Sequence, residues 1–90
     1  MQKTVLRPEI KAAALAMQKR MEENRHKDTE STLTPHQLML EAQGQLRMAF
    51  DASAGRTEYV RRQLTDTMVY CALALAKLPN PGAPEQGGDR

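Results

Sequence analysis

Aromatic side chains are almost missing from this chain, which has no Trp, one Phe and two Tyr among 90 residues. Any core must come from Leu, Met, Val, Ile and Ala, which helical bundles pack well and β-rich folds use less. Cysteine is as scarce: Cys71 stands alone. No intramolecular disulfide can form and a multi-cysteine zinc site is excluded, so a reducing, cytoplasmic setting is expected. Long apolar runs are absent too. The stretches over 12–17 and 68–76 fall short of the roughly 20 residues that span a bilayer, and the first residues carry no secretory pattern, so no membrane association is expected.

Neither sign of charge dominates. Thirteen basic and eleven acidic residues leave a formal net charge of +2, and Lys and Arg are interspersed with acids rather than gathered on one face. This argues against a nucleic-acid partner. Phosphate-binding loops, dinucleotide fingerprints, zinc-finger spacings and nucleophile elbows do not occur, which removes most enzyme classes.

What is present reads as three helices. Pro8 suits a first helical turn, and the stretch to Arg25 has no further Pro and no Gly. Ile10, Ala13, Met17 and Met21 recur there at three- and four-residue steps, the spacing of one helical face. The polar stretch from His26 to Leu33 reads as a loop. Thr34-Pro35-His36-Gln37 then supplies a cap, a Pro at the first helical position and a Gln three residues after the cap, so a second helix should run to about Ala52. Its expected core stripe is Leu38, Ala42, Leu46, Ala49 and Phe50, with Gly44 a weak point or a site of close packing.

Gly55 should end that connection in a left-handed conformation, with Thr57 capping a third helix from Glu58 to Leu78. The short connection implies antiparallel helices. Val60, Leu64, Thr67, Cys71, Leu75 and Leu78 form the expected stripe. From Met68 to Leu78 almost every residue is apolar, more than two short neighbours can cover. The expectation is an all-α three-helix bundle over residues 1–78, completed by oligomerisation as a dimer or tetramer, with a flexible tail over 79–90 that is rich in Gly, Pro and charge.

Four oxygen-bearing side chains stand inside the second and third helices: Glu41 and Gln45 one turn apart, Gln63 and Asp66 three apart, with Tyr59 and Tyr70 extending the second pair's face. Antiparallel packing of those faces would converge them, as bundles do when building hard-cation sites. Glu41-Ala42-Gln43-Gly44-Gln45, followed by Gln63-Leu64-Thr65-Asp66, resembles the E-E-x-x-E and E-x-x-D elements of the MazG-like nucleotide pyrophosphohydrolases. The likeness extends over about residues 8–78. It includes a basic loop segment at Asn24-Arg25-His26-Lys27, the Thr-Pro helix start, and the apolar Val69 to Leu73 after the second element.

In that family acidic side chains bind magnesium, which holds a nucleoside triphosphate while water attacks it to release a nucleoside monophosphate and pyrophosphate. The resemblance implies Glu41 and Asp66 as metal ligands for Mg2+, with Lys27, Arg25, Gln45 and Gln63 facing the nucleotide. Three of five acids are replaced: Ala42, Gln45 and Gln63 stand where Glu is expected. Gln keeps an acceptor oxygen without the charge, and Ala keeps neither. Weakened or lost catalysis, with nucleotide binding retained or not, is the expected result. The alternative is a non-enzymatic module that uses the same scaffold to contact a protein partner.

The remaining candidates have plainer readings. His26 and His36 lack a second His at metal-ligand spacing and read as surface residues. Cys71 lies on an apolar stripe without basic neighbours and is expected to be buried packing, like most of the six Met.

Overall fold

The computed structural model describes residues 5–24, 32–52 and 55–79. Three helices and no strands occur among the described residues: α1 (Pro8–Glu23), α2 (Pro35–Asp51) and α3 (Thr57–Ala76). No helix among them is long and apolar enough to cross a membrane. The expected tail lies outside the described residues beyond its first position, Pro79, and so does most of the expected first loop.

The start of α2 follows its sequence signal. Thr34 Oγ1 accepts from the Gln37 backbone N–H at 3.1 Å, and Gln37 Oε1 accepts from the Thr34 N–H at 2.8 Å, a complete capping box with Pro35 at the first helical position. Two N–H groups that the helix cannot satisfy internally are thereby paired. The cap expected at Thr57 is not formed. Arg56 takes the cap position of α3 without a side-chain bond, and Thr57 is the first helical residue. Its hydroxyl therefore sits one residue too late to reach back to the first-turn N–H groups. Gly55 adopts φ +97°, the left-handed conformation a side chain would resist.

The helix ends differ slightly from expectation. α1 stops at Glu23 with Asn24 as its cap, and α3 stops at Ala76. Lys77 donates its ammonium to the Leu33 carbonyl, which ties the end of α3 to the start of α2. With the short connection at the other end, this fixes an antiparallel hairpin.

The hairpin holds most of the packing. Leu38, Ala42, Gln45 and Ala49 on α2 meet the side of α3 that carries Gln63, Thr67, Tyr70 and Ala74, and both series step by four, three and four residues. Such matched steps let two helices lie nearly antiparallel with interlocking side chains. The centre is small. Leu38 is the one large side chain fully buried, and the other buried apolar residues are Ala42, Ala49 and Ala74. Helix α1 rests on α3 more sparsely and buries no residue fully. Its C-terminal half, around Ala16, Lys19, Arg20 and Glu23, lines a groove with Glu58, Arg62 and Thr65 of α3.

Two expectations about packing are corrected. Leu46, Phe50, Leu64, Cys71, Leu75 and Leu78 were expected inside, and all are exposed. The seam instead uses the neighbouring positions, where Ala, Gln and Thr allow closer approach than Leu or Phe would. Gly44 is not a point of close packing either, since a Cβ there would meet nothing within 4 Å.

Candidate functional site

The four oxygen-bearing residues divide between the seam and one side of the hairpin. Gln45 and Gln63 are seam residues. Glu41 and Asp66 each precede a seam position, Ala42 and Thr67, by one residue, so both emerge on the side where α1 lies. Helical periodicity thus brings Glu41 and Asp66 to the same side, as the motif spacing implied, but their environments differ.

Asp66 is taken by α1. Arg20 Nε donates to Asp66 Oδ1 at 2.7 Å and its terminal nitrogen donates to Oδ2 at 3.2 Å, a two-pronged pair in which the side chains are 25 % and 16 % exposed. The match of planar guanidinium to carboxylate makes this the strongest polar contact between helices. Arg20 also reaches Glu23 at 3.3 Å. The Asp66 hydrogen bond raises the Arg20 pKa above its ordinary value, against a smaller opposing effect of burial and with further help from the charges of Asp66 and Glu23. Glu41 is exposed and makes no ion pair among the described residues.

Gln63 is 7 % exposed, and its Oε1 finds no hydrogen-bond donor among the described residues. A carboxylate in that place would need a nearby cation, whereas a neutral amide tolerates the apolar seam at a cost of roughly 1–3 kcal/mol for the unpaired acceptor. Gln63→Leu should therefore leave the fold intact and raise the free energy of unfolding by about 1 kcal/mol, read from urea melts followed by circular dichroism. A loss above that size would show that the amide makes a bond on which the fold depends.

Nearby hydroxyls are satisfied locally. Thr65 and Thr67 donate to the carbonyls of Arg61 and Gln63, each at 2.8 Å. Tyr59 is half-buried with the Arg56 guanidinium 4.4 Å from its ring centre, and Tyr70 is half-buried further along α3. Arg25 and Lys27, expected to meet the nucleotide, lie outside the described residues, as does His26. No group of three or more His, Cys, Asp or Glu side chains that could hold a metal occurs among the described residues.

Sequence reasoning missed the decisive residue. Arg20 sits on the polar flank of α1, and only the packing of α1 against α3 brings it to Asp66, 46 positions along the chain. Comparison with known protein families, curated proteins and solved structures finds no match for this chain.

Proposed function

We propose that this chain is a MazG-like helical scaffold that has lost magnesium-dependent pyrophosphohydrolysis and works as a protein-interaction module. One observation carries the reading: the guanidinium of Arg20 holds both oxygens of Asp66. Asp66 is the carboxylate that the resemblance makes a metal ligand. An organic cation supplied by the chain itself now neutralises it, and a divalent ion would have to displace that partner. With Ala42, Gln45 and Gln63 in place of acids, too little negative charge remains nearby to repay the displacement.

Glu41, left exposed, is a single carboxylate and offers no enclosed coordination. If a nucleoside triphosphate is bound at all, it is held by neutral Gln45 and Gln63 with Arg25 and Lys27, without the ion that activates water. A contact function for the scaffold is favoured by the large apolar side chains that lie on the outside of all three helices.

The test is pyrophosphate release from a panel of ribo- and deoxyribonucleoside triphosphates with magnesium or manganese, run beside an Asp66→Ala control. No turnover above the control is expected, and neither ion alone should shift the thermal midpoint. Turnover that vanishes with Asp66→Ala would overturn the reading and establish a working, pared-down enzyme.

A further inference from the structure

We propose that the α2–α3 hairpin docks a second copy of this chain through the face bearing Met39, Leu46, Phe50, Leu64, Leu75 and Leu78, giving a four-helix bundle. The face follows from the seam. In an antiparallel pair of right-handed helices, the residues one position after each seam residue emerge on one common side. On α2 these are Met39, Gln43, Leu46 and Phe50. On α3 they are Leu64, Met68, Cys71 and Leu75, with Leu78 continuing the row. The residues one position before the seam, Arg62 and Asp66 among them, face α1. The apolar face is thus on the side of the hairpin that α1 leaves open.

Its size fits a second copy. The six large side chains are between 42 and 83 % exposed. They offer on the order of 700 Å² per copy, above the largest apolar patch of a typical monomer and close to the ~800 Å² per partner of a standard interface. Its chemistry fits as well. No charged side chain interrupts the face, and the charges at its rim are already compensated within each helix, Arg47 by Asp51 at 3.1 Å and Arg61 by Glu58 at 3.5 Å. Two copies can meet across a two-fold axis without like charges opposing each other, whereas a nucleic acid or acidic peptide would find no counter-charge.

The four-three steps along both helices are those by which helices interlock in bundles. A chain with one fully buried large side chain gains in the dimer the core it lacks alone. The proposal names the partner for the interaction reading above and rests on it in part. A monomer that binds a different protein would overturn the dimer and leave that reading standing, while pyrophosphate release would overturn that reading and leave the dimer standing.

The experiment is sedimentation velocity of the full chain over a hundredfold range of concentration, with thermal melts at the same concentrations. A dimer is expected, with a midpoint that rises with concentration. Leu75→Glu buries a charge twice in the symmetric interface and should weaken association on the order of 100-fold, whereas Leu15→Glu on α1, exposed and off the face, should leave it unchanged. Cys71, exposed on the hairpin face, gives a second readout. Its thiol should react slowly with a disulfide reagent in the dimer and much faster in the Leu75→Glu chain. A folded monomer at every concentration with a freely reactive Cys71 would overturn the proposal, as would a monomer that co-sediments with phosphatidylcholine vesicles through this face.

Discussion

Leu38→Ala is expected to lower the free energy of unfolding by about 2–5 kcal/mol, the range for emptying a fully buried leucine site. No other side chain of this chain should approach that effect. Leu38 is 0 % exposed and sits on the α2 seam, where its neighbours in the core are the small Ala42, Ala49 and Ala74. Alanines cannot swing inward to fill the space a leucine vacates, so the cavity persists and the cost lies toward the upper end. Against a total stability of roughly 5–15 kcal/mol for an ordinary domain, this change removes a large part of what holds the hairpin. Thermal and urea melts followed by circular dichroism read the result. A loss below about 1 kcal/mol would mean that the seam re-forms around another residue.

The second large effect concerns Arg20 and Asp66. Arg20→Ala should cost about 2–3 kcal/mol, because it leaves a mostly buried carboxylate with no partner, and Asp66→Ala should cost somewhat less, because the longer Arg20 side chain can turn to water and keep Glu23. The double variant should be less damaging than the two losses added together, with a coupling on the order of 1–2 kcal/mol from a double-mutant cycle. Additive losses would mean that the pair contributes nothing beyond its separate residues.

The pH dependence of the Arg20 side has a definite sign. Its folded-state pKa is raised, so its contribution is fully present below the unfolded value and fades only as pH climbs through the folded one. That window lies far into the alkaline range, and the guanidinium therefore brings no pH dependence near neutrality.

The helical class was legible because its signals are local. Pro8, the Thr34 to Gln37 cap and Gly55 each act through neighbours a few residues away, and no distant contact overrides them. The choice of face was harder to read. On α2 and α3 the bulky residues lie one position after the residues that pack, so a search for large apolar side chains at helical spacing finds the open face rather than the seam. Cys71 and Leu75 were assigned to the interior on that basis and stand outside. Gln63 and Thr65 are buried, although polarity marked them for water. Periodicity specifies that residues share a side, and only the partner decides which side is covered first.

Of the candidate site, Glu41 and Asp66 do share a side of the hairpin. The fate of Asp66 depended on Arg20, and no spacing rule links residues on separate helices that meet only in the folded chain.

The sparse seating of α1 has a consequence for how the molecule opens. With no residue fully buried and its contacts gathered around one ion pair near its end, α1 can detach while α2 and α3 stay paired. Its backbone amides then exchange with solvent through a sub-global opening of lower free energy than complete unfolding. The chain behaves as two cooperative units of unequal persistence, a hairpin that lasts and an arm that comes and goes, and each departure of the arm frees the Asp66 carboxylate for other company.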